Sequence, residues 1–144
     1  MKNELRVEVP YLPISVNKYL APRIQRVGNK VIPTMYETKT SKDWKLLFRT
    51  AILRAMKHQD FKKEQTGDGH WYLDCGFVLK RKNQDCNNFF KILIDSFIGL
   101  AIEDDKNILP RVQWLDYDTK NPKTMIYLHK VNQLELLNVK EGMK

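Results

Sequence analysis

Hydrophobic and polar positions along this chain fall into blocks with two different periods. Residues 5–9 read L-R-V-E-V, the alternation of a half-buried strand. Pro10 and Pro13 end it, and an irregular segment follows to Tyr19, where Ser15 and Asn17 suit turn chemistry. Residues 19–38 carry a hairpin pattern, with Gly28-Asn29 between two extended arms. Residues 38–58 switch to helical spacing. Trp44, Leu47, Phe48, Ala51, Ile52 and Ala55 make one apolar stripe, and Thr40 or Ser41 is the expected cap. Residues 60–69 read as a polar loop. Residues 70–82 predict a strand with Trp71, Leu73, Cys75, Phe77 and Leu79 on one face and burial on both. An apolar helix is predicted from Phe89 to Leu100. Residues 107–118 and 123–131 predict two further strands around a turn at 119–122. Residues 132–144 read as a short helix or tail after a domain of residues 1–131. Trp44, Trp71 and Trp114 are expected in the core.

The apolar helix carries an anomaly. At about 100° per residue, Asn88, Lys91, Asp95 and Gly99 share a wedge of roughly 80°. A polar stripe on a buried helix needs a paired network, a metal or a phosphate. Asp85 precedes the helix, and Glu103, Asp104 and Asp105 follow it. Acids beyond a helix C-terminus oppose its dipole, so ordinary helix flanking does not explain them. A folded-back chain can bring carboxylates from both ends together beside Lys91.

Composition narrows the partners. With 25 Lys+Arg against 17 Asp+Glu, the net charge is +8, which favours a polyanion such as nucleic acid. Charged residues interrupt the best apolar run, so no membrane span is expected. The N-terminus shows no signal-peptide pattern, and two cysteines outside any C-x-x-C pair point to a reduced cytoplasmic setting. The chemistry is narrowed further by what is missing. His58, His70 and His129 lack ligand spacing, and no phosphate-binding loop or serine elbow occurs. Cys86 has no neighbouring histidine and reads as a packing residue. What remains is a set of carboxylates, Asp85 with Asp104 and Asp105, suited to Mg²⁺, with Lys91 available to offset phosphoryl charge.

One resemblance organises these pieces. Pro13, Ser15-Val16-Asn17 and Tyr19, then Asp85, Asn88, Lys91, Asp95, Phe97 and Gly99, then Asp104-Asp105, resemble in order and spacing the RusA family of Holliday junction resolvases. The resemblance implies a single-domain α/β (α+β) fold, with a mixed sheet of four to five strands and two main helices. It further implies a phage or prophage origin, a homodimer, and paired Mg²⁺-dependent nicks in four-way DNA, with Mn²⁺ as a substitute ion. Carried over, Asp85, Lys91 and Asp105 are catalytic. Asp85, Asn87, Asp104 and Asp105 face the metal, and Asn88 and Asp95 support them. Asn17, Lys18, Arg23, Arg26, Lys80, Arg81 and Lys82 are the expected DNA-binding residues.

The chain departs from the family at Asn87, where an aspartate is expected. An amide oxygen ligates Mg²⁺ without adding negative charge. A junction-binding protein with impaired or lost cleavage is therefore the alternative, and a nuclease for flaps, forks or RNA is a further one.

Overall fold

The computed structural model describes residues 3–63 and 69–144, so part of the expected 60–69 loop lies outside the described residues. A four-stranded sheet has the order β1-β6-β4-β5, with β1 at Glu4–Val9, β4 at Trp71–Leu79, β5 at Ile108–Tyr117 and β6 at Lys123–Lys130. Only β4 and β5 run parallel. Parallel neighbours need a crossover, and the segment holding the apolar helix supplies it. A separate two-stranded ribbon pairs β2 (Leu20–Val27) with β3 (Lys30–Glu37). Its turn uses Gly28 at φ 63°, a left-handed value that suits glycine. The mixed α+β fold and the single domain match expectation.

Alternation decides the sheet's two faces. Leu5, Val7 and Val9 are buried on β1 while Glu4, Arg6 and Glu8 are exposed. Leu73, Cys75 and Phe77 on β4 and Ile126 and Leu128 on β6 lie in the same core cluster. Phe48 and Ile52 of α2 (Lys39–Gln59) join that cluster, as do Leu93 and Phe97 of α3 (Phe90–Phe97). Aromatic edges knit the layers together. Phe48 meets Phe97 at 5.8 Å between centroids, and Phe77 meets Phe89 at 5.2 Å.

Several local expectations are corrected. Residues 16–19 form a one-turn helix, α1 (Val16–Tyr19), capped by Ser15, whose side chain accepts from the Asn17 amide. Thr38 caps α2, not Thr40 or Ser41, because it leaves β3 in an extended conformation and accepts from the Ser41 amide. Ser41 is instead buried and donates to the carbonyls of Tyr19 and Thr38. Leu47 is exposed, so the buried stripe of α2 is narrower than its periodicity suggests. β4 stops at Leu79, and Lys80-Arg81-Lys82 begin the turn that follows. Trp71 is fully buried, whereas Trp114 is 41% exposed and lies over Gly76 on the face of the sheet opposite the core. A bulge beside Cys75 and Gly76 shifts the register and sets Trp114 opposite Gly76. A Cβ at Gly76 would come within 2.0 Å of the indole. Beyond β6, residues Gln133–Met143 form α4, which buries none of its side chains.

Candidate functional site

The central segment begins with a tight turn. Asp85 Oδ1 accepts from the Asn87 amide at 2.9 Å and caps a short 3₁₀ turn, Cys86–Phe89, that leads into α3. α3 then buries Ile92, Leu93, Ser96 and Phe97. The Asn88, Lys91, Asp95 stripe is turned outward. Lys91 is exposed and Asn88 and Asp95 are half-buried, so the helix is less enclosed than its composition suggests. Lys91 Nζ lies 3.3 Å from Asp95 Oδ2, and that same oxygen accepts from the Tyr19 hydroxyl at 2.7 Å.

The acids after α3 do not oppose its dipole. The helix ends at Phe97, and Arg49 of α2 donates to the carbonyls of Asp95, Ser96 and Ile98 at 3.4, 3.4 and 3.1 Å. A guanidinium therefore meets the C-terminal carbonyls, as dipole and hydrogen-bond satisfaction both require. Gly99 at φ 83° and hydrogen bonds between residues 97 and 102 reverse the chain. Asp104 then caps a second 3₁₀ turn, Asp105–Asn107, by accepting from the Lys106 amide at 3.1 Å. That amide, and next a hydrogen bond with the Asp105 side chain, hold the Asp104 carboxyl below its ordinary pKa.

Several of the expected residues fall along two clefts, whereas Lys91 and Asn87 line neither of them. Asp85 and Asn88 line one of about 460 Å³ together with Pro13, Ser15, Asn17, Lys18 and Arg81. The structure therefore gathers the N-terminal motif and the turn after β4 around Asp85. Asp95, Glu103, Asp104 and Asp105 line a second cleft of about 260 Å³ with Ile98. Asp85 does not line the second cleft. Glu103 is neutralised by Lys63 at 2.7 Å. Among the described residues no three metal-ligating side chains converge. Asp104 and Asp105 are nonetheless a close pair of exposed carboxyls, the oxygen donors that Mg²⁺ takes when phosphate and water complete its shell. Asn87 is exposed beside Asp85.

Lys80, Arg81 and Lys82 are exposed in the turn after β4, Lys18 on α1, and Arg23 and Arg26 on the ribbon. Burial raises the thiol pKa of both Cys75 and Cys86, so neither is a ready nucleophile. Helical periodicity did not single out Tyr19, Lys45 or Arg49 as site residues. Lys45 and Arg49 are four apart on α2, a spacing that puts both on one face, toward α1 and α3. A cavity of about 580 Å³ lies elsewhere, on the face of the sheet opposite the core, and is lined by Arg6, Asp74, Gly76, Trp114 and Tyr127 among others.

No helix among the described residues is long and apolar enough to cross a membrane. No curated protein matches the chain significantly. The family model for endodeoxyribonuclease RusA matches residues 13–129, from the first residue of the N-terminal motif through both clefts to the end of the sheet, and on that extent the chain belongs to the RusA endodeoxyribonuclease family.

Proposed function

We propose that this chain is a divalent-metal-dependent endodeoxyribonuclease that resolves four-way DNA junctions as a symmetric homodimer. The family match across both clefts is the observation that carries the reading. Asp104 and Asp105 would hold the ion, with water and a DNA phosphate completing its shell. A Mg²⁺ bound there supplies Lewis acidity toward a phosphoryl oxygen and a more acidic water. Lys91 contributes positive charge to the phosphoryl oxygens or the leaving group. Asn17, Lys18, Arg81 and Asn88, in the cleft that Asp85 also lines, orient the DNA backbone. Arg23, Arg26, Lys80 and Lys82 extend the phosphate-binding surface. Specificity then follows junction shape more than base edges.

A junction is cut in pairs, and a two-fold dimer presents two equivalent sites to it. The β2–β3 ribbon supports association. Ile24, Val31 and Met35 are 75%, 55% and 60% exposed, and a lone two-stranded ribbon is marginally stable in water. The test is cleavage of an end-labelled four-way junction in Mg²⁺ against EDTA. Paired symmetric nicks that vanish in EDTA support the reading, and intact junction in both overturns it.

A second reading, junction binding with impaired cleavage, is favoured by Asn87 and by the commitment of Asp85 Oδ1 to its turn. Asn87→Asp separates the two. A marked gain in Mg²⁺-dependent cleavage assigns position 87 to the metal, and an unchanged rate removes it from the ligand set.

A further inference from the structure

Asp95 is the pivot of a polar chain that crosses four elements. Its Oδ2 accepts from Tyr19 at 2.7 Å and faces Lys91 Nζ at 3.3 Å. The Tyr19 oxygen accepts from Lys45 Nζ at 3.1 Å, and Lys45 pairs with Glu37 at 3.1 Å. The order is Glu37 of β3, Lys45 of α2, Tyr19 of α1, then Asp95 and Lys91 of α3. Tyr19 is only 4% exposed, and its backbone carbonyl is held by the Thr38 amide at 3.0 Å. Burial first, and then the bond to Asp95, raise the phenol pKa far above its usual value, so the hydroxyl remains a donor.

The Lys91–Asp95 pair does not hold itself in place. Lysine preceding aspartate is the weaker orientation for residues four apart, and the Lys91 side chain is 52% exposed. Asp95, by contrast, is tethered to a buried hydroxyl that is anchored from two other elements. Fixing one partner removes much of the freedom that an exposed pair otherwise loses on forming.

We propose that Tyr19 is a positioning residue: its hydroxyl fixes Asp95, and Asp95 holds the Lys91 ammonium where a DNA phosphate is met. Tyr19 itself touches no substrate. The catalytic consequence rests on the nuclease reading above, whereas the positioning does not.

Two measurements test it on the full chain. First, lysines are labelled by reductive ¹³C-methylation, and the Lys91 signal is identified by its loss in Lys91→Arg. Tyr19→Phe keeps the ring and its packing. It is expected to move the Lys91 signal toward that of a freely rotating lysine such as Lys140, as Asp95→Asn should too. An unmoved Lys91 signal in both variants overturns the proposal. Second, single-turnover junction cleavage in Mg²⁺ should slow about 10-fold to 100-fold in Tyr19→Phe, with DNA affinity unchanged. The same substitution should add nothing in a Lys91→Ala background. A moved signal with an unchanged rate, or an equal loss in both backgrounds, also overturns it. If the unsubstituted protein cuts nothing, the nuclease reading fails while the lysine signal still decides the positioning.

Discussion

The face of the sheet opposite the core and the outward stripe of α3 each set a carboxylate among cations, but they are built in opposite ways. On the sheet, Asp74 is buried and all its demands are met. Arg111 donates to both of its oxygens at 2.6 and 2.8 Å, Gln113 donates at 3.2 Å, and His129 Nε2 lies 2.7 Å away. The partners are held in turn, with Arg111 3.4 Å from the Tyr72 ring centroid and His129 stacked on Tyr127. On α3 and the turn after it, Lys91, Asp104 and Asp105 face solvent. A carboxylate satisfied inside the molecule fastens strands together. Carboxyls left close and exposed have charge to offer a ligand. Acid–base clustering alone therefore does not mark a site; the marker is charge that the protein leaves uncompensated.

The sharpest way to break this contrast is to remove one acid from each region. Asp105→Asn should lower Mg²⁺-dependent junction cleavage by about 100-fold or more, with little change in the unfolding midpoint. A full rate in that variant would falsify the metal role of Asp105. Asp74→Ala should do the reverse. It removes the buried acceptor of Arg111 and Gln113 and should cost about 1–3 kcal/mol by urea denaturation, with cleavage per folded molecule retained. Loss of activity in well-folded Asp74→Ala would instead draw the sheet face into the site.

Acid titration sharpens the sheet side. Burial alone would raise the Asp74 pKa, but the bonds from Arg111 and then His129 outweigh it and leave the pKa lowered. A depressed folded value means the unfolded chain takes up the proton first. The stabilisation is therefore fully present above the unfolded pKa of about 3.9 and is lost as pH falls through the folded value. The stability gap between the unsubstituted protein and Asp74→Asn should shrink as pH falls below about 4. A gap that widens over that acid range contradicts this.

Smaller effects follow. Gly76→Ala drives a methyl into the Trp114 indole and should cost about 1–3 kcal/mol, relieved in the Trp114→Ala background. Arg81→Ala should weaken junction binding only several-fold while reducing the slope of log affinity against log salt by about 0.9. An unchanged slope removes Arg81 from the phosphate contacts.

Much of this organisation was legible in the residues. Alternation placed the strands, three- and four-residue spacing placed α2, and the mismatch between an apolar helix and its polar stripe directed attention to Asp85, Lys91 and Asp104-Asp105. These features are local, because burial of one face imposes its period on neighbouring residues. Cap identity was less legible. Thr38, Thr40 and Ser41 all have capping chemistry, and the exit direction of β3 selected Thr38.

The tertiary structure alone decided which polar groups meet. Asp74 finds Arg111 and His129 at separations of 37 and 55 residues, and Tyr19 finds Asp95 at a separation of 76. It also assigned Asp85 to one cleft and Asp104 and Asp105 to another. Such pairings depend on strand order, register and helix placement, to which thousands of weak contacts contribute. No window of sequence holds that sum, so the chain by itself named the candidate residues, and only the packing decided how they are grouped.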